Sequence, residues 1–315
     1  MRKIVTPMTL QQLEYIVALD EQRHFAKAAE SCKITQSTLS LMIRKLEEEL
    51  DITIFDRKMH PIKPTLAGEN LIKQARIVLF HANQLLKLTQ NERQKSSGEI
   101  RLGITSTIAP YILPKFFKFI NNFTDIKLIV KEMHNCDIVG KLKSAEIDMA
   151  IMSNPEKNNE LLEIPLYKEK LFAYVSPNDS LSKNKIIDLS KTPQKKMWTL
   201  KQSICFKNQI EGLSTYSNNI ERNIYETGNI STLLQIVDEN DGFTVLPELH
   251  IPLLSEVEQA NLRPFAEPVP TRTVSLFVRA DYMRESLVNI VIDGIKSIIP
   301  EGMVNERLKK YRIKL

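Results

Sequence analysis

Apolar residues recur at helical spacing in three successive runs between Thr9 and Leu50. In the first run Leu10, Leu13, Ile16 and Val17 form a stripe, and Thr9 with Gln12 fits a capping box at its start. The second, about residues 25–31, is short, and its Ala26, Ala28 and Ala29 would let another helix cross at close range. A turn at Cys32-Lys33-Ile34-Thr35 follows, with Ile34 as an apolar plug and Thr35 placed to cap the next helix through its hydroxyl. From Gln36 onward Leu39, Ile43, Leu46 and Leu50 share one face, and Gln36, Ser37, Ser40 and Arg44 share the opposite one. This pattern predicts a helix-turn-helix whose second helix offers polar groups where base edges are met. Two amphipathic helices around a tight turn also occur in many all-α domains. The next stretch favours DNA: residues 54–65 read as a short hairpin carrying Arg57 and Lys58, a basic wing beside the reading helix.

A long helix without proline is expected over about 66–94. Leu71, Ala75, Val78, Ala82, Leu85 and Thr89 recur along it at spacings of four and three, a heptad seam. Such a seam packs on its own domain or on a second copy; a reader of two half-sites needs a partner, which favours a dimer helix. Lys95-Ser96-Ser97-Gly98 breaks the pattern as a hinge. After it the period changes. Strands are predicted at Ile100–Ile104, Ile126–Val130 and Ile147–Met152, with helices over 111–123 and 137–144 between them. Strands alternating with helices predict a parallel α/β sheet. Leu171–Val175 is expected to begin a second unit that contains Met197–Leu200, a helix near 231–239 and Gly242–Pro247. Strand Val274–Val278 and a helix over 287–299 are expected to return to the first unit. The predicted class is therefore α/β multidomain. A winged helix-turn-helix occupies 1–65 and a linker helix 66–95. A C-terminal domain at 98–315 consists of two Rossmann-like subdomains, 98–170 plus 271–300 and 171–270, with a cleft between them.

Composition narrows the function. The 315 residues are 43% hydrophobic and 26% charged, enough for two or three well-filled domains. The net charge of +5 is uneven: residues 1–95 hold 15 Lys and Arg against 11 Asp and Glu, and the rest is nearly balanced. The positive excess lies where phosphate contacts are needed. No stretch of 18 apolar residues is present, and the basic start lacks an apolar core, so a cytoplasmic protein without a membrane partner is expected. Cys32, Cys136 and Cys205 are too few and too far apart for a disulfide framework or a zinc site. The five His residues show no metal-ligand spacing, and no Gly-rich phosphate loop is found, so neither metal nor cofactor is expected.

The ordered run Ala28-Ala29, Thr35-Gln36-Ser37-Thr38-Leu39-Ser40, Ile43-Arg44-Lys45-Leu46-Glu47, Phe55-Asp56-Arg57 and Thr65-Leu66-Ala67-Gly68 resembles the winged helix-turn-helix of LysR-type transcriptional regulators. Asp51 departs from that pattern, which usually has Gly there. The resemblance extends to the C-terminal part, which looks like the family's effector domain and is similar to periplasmic binding proteins. It implies binding to an interrupted palindromic operator in double-stranded DNA. Gln36, Ser37, Thr38, Ser40 and Arg44 would meet the bases, and Arg57 and Lys58 the phosphates. It also implies a dimer through the linker helix, tetramers through the effector domains, and RNA polymerase as a further partner.

Within the family, Leu102-Gly103-Ile104, Thr107, Pro110-Tyr111-Ile112-Leu113-Pro114 and Gly242–Pro247 resemble the peroxide-sensing branch. So does the segment 204–213, in which a peroxide-reacting cysteine opens the pattern at Cys205. What this implies is a redox switch for oxidative-stress genes with hydrogen peroxide as its signal. Lys201, Lys207 and Arg272 would favour the Cys205 thiolate, and Thr107, Asn135 and Arg272 would form a peroxide pocket. The branch's resolving cysteine falls on Ser214, and a hydroxyl cannot close a disulfide. The chain is therefore expected to stop at sulfenate or sulfinate and to stay near its reduced form, as a replaced cysteine or a natural one-cysteine sensor would. Cys32 reads as core, and Cys136, near a helix start, is a weaker candidate thiol. Two other functions stay open on the residues: a regulator that senses a small metabolite in the cleft, and a thiol peroxidase.

Overall fold

A computed structural model describes residues 8–88, 97–153, 159–192, 197–200, 224–225, 229–310 and 312–314. These fall into an N-terminal and a C-terminal unit. In the first, α1 (Leu10–Gln22) begins as its sequence requires: the Thr9 hydroxyl accepts from the Gln12 N–H, and the Gln12 side chain accepts from the Thr9 N–H. Helix α2 (Phe25–Ser31) and α3 (Gln36–Leu50) follow, the latter capped by Thr35 through the Thr38 N–H. Leu13, Ile16 and Leu19 of α1, Ala28 and Ala29 of α2, and Leu39, Ile43 and Leu46 of α3 close into one core. That is the role foreseen for Ala28 and Ala29; Ala26 is exposed and takes no part in the crossing.

The wing is the antiparallel pair β1 (Phe55–Asp56) and β2 (Lys63–Pro64). It joins α4 (Leu66–Leu88) through a tight corner. The Thr65 hydroxyl donates to the Thr53 carbonyl at 2.6 Å and accepts from the Gly68 N–H at 3.0 Å. A Cβ on Gly68 would sit 2.0 Å from the Ile54 carbonyl oxygen, so only glycine fits that first turn. Helix α4 does not keep one seam free. Ala75 is 2% exposed and belongs with Ile72 to the unit's own core, and Leu71 packs against it. Val78 and Leu85 stay exposed, and Ala82 is half-buried. The expected seam is thus split, because its first two turns are used to anchor α4 to its own domain. Thr89 lies outside the described residues.

In the C-terminal unit β3 (Gly98–Thr105), α5 (Ala109–Ile120), β4 (Ile126–Met133), α6 (Asn135–Lys143) and β5 (Met149–Ser153) follow the foreseen alternation. β3 lies between β4 and β5 and is parallel to both. Then comes β6 (Leu161–Val175), a single strand of 15 residues. After it come β7 (Thr199–Leu200), β8 (Ile224–Tyr225), α7 (Ile230–Glu239), β9 (Phe243–Pro247), α8 (Glu256–Ala260), β10 (Leu262–Pro264), β11 (Thr271–Arg279) and α9 (Glu285–Ile298).

Residues 171–175 do not open a new strand; they are the second half of β6. Its first half pairs antiparallel with β11, its second half with β9 and β10. The subdomain boundary expected at 170/171 therefore falls inside one continuous strand, where its partners change. β11 also pairs antiparallel with β5, so the sheet is mixed rather than parallel. The first half of β6 escaped notice because Pro165 and four charged residues interrupt its pattern; Pro165 sits where the pairing register shifts, at a bulge. Alternation sorts the second half: Leu171, Ala173 and Val175 pack with Phe243 and Ile187 on one side, and Tyr174 packs with Leu234, Val237 and Leu246 on the other.

Candidate functional site

On α3 the side chains of Gln36, Ser37, Thr38 and Arg44 are exposed, and Ser40 is half-buried. Thr35 orders the start of this face: its hydroxyl lies 2.9 Å from that of Ser37 and 2.8 Å from that of Thr38. In the wing, Lys58 is exposed and its N–H donates to the Asp56 carboxylate. Arg57 is otherwise engaged. Its guanidinium donates to Glu47 at 2.8 Å and lies 5.8 Å from the centre of the Phe25 ring. Glu47 also accepts the N–H groups of Ile54 and Phe55 at 2.8 and 3.2 Å. One carboxylate on the buried side of the reading helix thus carries three bonds from the approach to the wing and from the wing itself. Arg57 acts first as a wing anchor, and Glu47 is the residue that sequence reading left without a role. Helix α3 ends at Asp51 with φ +51°, the left-handed conformation that explains glycine in the family pattern.

The second site lies at the carboxyl ends of the parallel strands β3, β4 and β5, where open α/β sheets take their ligands. Thr107 follows β3, Asn135 opens α6 after β4, and Ser153 ends β5. The Asn135 amide donates to the Ser153 carbonyl at 3.1 Å. Thr107 and Arg272 are 165 positions apart in sequence, yet the Arg272 guanidinium donates to the Thr107 hydroxyl at 3.1 Å and to its carbonyl at 3.2 Å. Arg272 is 1% exposed and also donates to Glu169 at 2.8 Å and to the Tyr111 hydroxyl at 2.6 Å. Tyr111 donates to Glu169 at 3.1 Å and touches the Tyr167 hydroxyl at 3.2 Å. The other Glu169 oxygen accepts the Leu249 N–H.

Burial holds both tyrosine hydroxyls protonated. Burial alone would pull Arg272 down, but the Glu169 carboxylate beside it outweighs that and holds it charged. The Arg272–Glu169 pair carries no net charge, so it orients Thr107 more than it charges the cleft. Glu169, Tyr111 and Tyr167 were not foreseen as site residues. A signal existed: Tyr167, Glu169, Leu171, Ala173 and Val175 alternate onto the buried side of β6, and a carboxylate there demands a partner.

Beside this cluster a cavity of about 610 Å³ opens between α5, α6, α7 and the 3-10 turn Glu248–Leu253. It is lined by Ser106, Glu132, His134, Asp137, Ser231, His250 and Glu258 among others. Burial first, and the Arg272 charge second, push the His250 imidazole down from its ordinary value, so it is neutral. Its Nδ1 has no hydrogen-bond partner among the described residues. Cys205 and Ser214, with Lys201 and Lys207, lie outside the described residues, as does the Cys136 side chain. Cys32 is half-buried against the N-terminal core, and desolvation raises its thiol above the usual range, as suits a structural cysteine. Among the described residues no group of acidic, His or Cys side chains could hold a metal ion, and no helix is long and apolar enough to cross a membrane.

A three-helix unit with a wing, followed by a long helix and a mixed α/β unit with a cavity beside its sheet, is the architecture of a DNA-binding regulator. Residues 10–69 match the family model of the bacterial regulatory helix-turn-helix protein, lysR family, and residues 93–297 match the LysR substrate binding domain. The chain belongs to the LysR family of DNA-binding transcriptional regulators, not to an enzyme family, and the thiol-peroxidase alternative is set aside. It is 29% identical over 299 residues to the hydrogen peroxide-inducible genes activator of Haemophilus influenzae, covering 93% of this chain and 99% of that one. It is 28% identical over 304 residues to the DNA-binding transcriptional dual regulator OxyR of Escherichia coli K12, covering 96% and 99%. A full-length OxyR variant from Pseudomonas aeruginosa superposes with a TM-score of 0.80 at 27% identity, over 95% of this chain and 98% of that one. This chain is thus an OxyR-like member of the family.

Proposed function

We propose that this regulator is of the peroxide-sensing kind, with Cys205 as the thiol that hydrogen peroxide oxidises and Ser214 holding the chain near its reduced form. The observation that supports this best is the Arg272–Thr107 pair. Arg272 fills one lone pair of the Thr107 hydroxyl and leaves its proton to donate at the carboxyl ends of the sheet. A peroxide oxygen needs such a donor. The Cys205 thiolate would attack one peroxide oxygen; the O–O bond breaks, hydroxide leaves and takes up a proton as water, and the sulfur is oxidised to sulfenic acid. Lys201 and Lys207, neighbours in sequence, favour the thiolate. Ser214 cannot resolve that sulfenic acid, so the chain stays near its reduced conformation. Making Ser214→Cys and mapping disulfides by peptide mass after peroxide treatment tests this. A disulfide between Cys205 and the introduced cysteine, with an altered operator footprint, is expected; no bond, or a bond with an unchanged footprint, overturns it.

The operator is an interrupted palindrome read by Gln36, Ser37, Thr38, Ser40 and Arg44 at bases, with Lys58 at a phosphate. The chain dimerises through the exposed Val78 and Leu85 of α4 and assembles further into tetramers that engage RNA polymerase. Val78→Glu is expected to give monomers by light scattering at low micromolar concentration, and a fully dimeric variant would refute the seam. The cavity favours a second reading, in which a small ligand sets the response. Its volume far exceeds that of peroxide, and its Glu132, Asp137 and Glu258 suit an amine. Thermal shifts with amino acids and small amines, absent with peroxide, would support it over the first.

A further inference from the structure

The reading face of α3 is not wholly polar. Leu41 stands on it with 65% of its surface exposed, while Leu39, Ile43 and Leu46 of the same helix are enclosed. Ser37 and Thr38 lie one turn before it and Arg44 and Lys45 one turn after, all exposed. Leu41 is therefore flanked by Ser37, Thr38 and Arg44, which would meet base edges, and it contributes nothing to the core. A single exposed leucine is ordinary on a protein surface. Its place here is not, because a helix laid in the major groove brings this position onto the base pairs. The major groove offers one apolar feature, the C5-methyl of thymine.

We propose that Leu41 is a specificity-determining residue that reads a thymine methyl in each half-site. This rests on the DNA-reading role of α3 given above and adds to it the identity of one base. The polar neighbours satisfy donors and acceptors, and Leu41 covers the methyl between them and excludes water from it. Burying one methyl against an apolar side chain is worth about a three- to fivefold change in affinity.

The test starts from duplexes selected by the full-length chain from a random-sequence library. In the selected duplex each thymine is replaced in turn by deoxyuridine, which removes the methyl and leaves the pairing edge unchanged. The wild-type chain is expected to bind about three- to fivefold more weakly at one position per half-site. Leu41→Ala should lose a similar factor on the thymine duplex and be indifferent to deoxyuridine at that position. Arg44→Ala should be weaker throughout yet keep its sensitivity to the methyl. Alanine is a good helix former and Leu41 supports no core, so the fold is retained. Indifference of the wild-type chain to every replacement, or an undiminished methyl effect in Leu41→Ala, overturns the proposal while leaving DNA reading intact. A library that yields no enriched sequence overturns both.

Discussion

The two functional regions solve opposite problems. On α3 the working side chains are exposed and held from behind: Thr35 caps the helix, and Glu47 ties its buried side to the wing. Around Thr107 the working side chains are enclosed and tied to one another; Arg272 is 1% exposed with four bonds to Glu169, Thr107 and Tyr111. A reader must leave its donors and acceptors open for bases, so its rigidity comes from residues that never touch DNA. A cluster closed off from water has no solvent to screen it, so its charges have to cancel within the site. The same type of ion pair, Arg57–Glu47 and Arg272–Glu169, accordingly carries different weight in the two regions.

The largest effect should come from breaking the buried pair. Arg272→Met leaves Glu169 desolvated without its partner, and a loss of about 3–5 kcal/mol is expected in urea unfolding of the C-terminal unit. A loss below about 1 kcal/mol would mean that water reaches the site and that the enclosed cluster does not exist in solution. Glu47→Ala removes three bonds from a partly buried carboxylate, at about 2–3 kcal/mol. It should weaken operator and random DNA alike, because the wing is displaced while the reading face is kept. A selective loss of operator binding would instead make Glu47 part of base recognition. Asp51→Gly relieves a left-handed residue and is expected to stabilise the N-terminal unit by about 1 kcal/mol, read as a rise in its melting temperature.

The smallest effect concerns His250. Its folded-state value lies below the unfolded one, so the unfolded chain binds the proton more readily. Stability should be intact above about pH 6.5 and fall as the pH drops below it. Arg272 opposes the charged imidazole, and Glu258 and Glu169 favour it less strongly. His250→Gln should flatten that part of the pH profile; an unchanged profile would show that His250 titrates freely.

The DNA-binding unit was legible in the sequence and the Arg272 cluster only in part, for a physical reason. Caps, helical period and the Gly68 corner are local, and Thr9, Thr35 and Gly68 act within a few residues of themselves or on the adjoining chain. Arg272 is bonded to residues 103 to 165 positions away, so its partners are fixed by strand pairing that no local pattern announces. Thr107 and Arg272 were found through family resemblance, and Glu169 only through the structure. The α4 seam shows the converse: a regular repeat gave the helix, but not that Ala75 would be spent on its own core.

The most direct measurement is trapping of the oxidised thiol. The full-length chain is exposed briefly to one equivalent of hydrogen peroxide with dimedone present, and its peptides are weighed. A dimedone adduct on Cys205 and an unmodified Cys32, whose thiol burial holds up, are expected. An unreactive Cys205, or equal labelling of Cys32, would contradict peroxide sensing through Cys205.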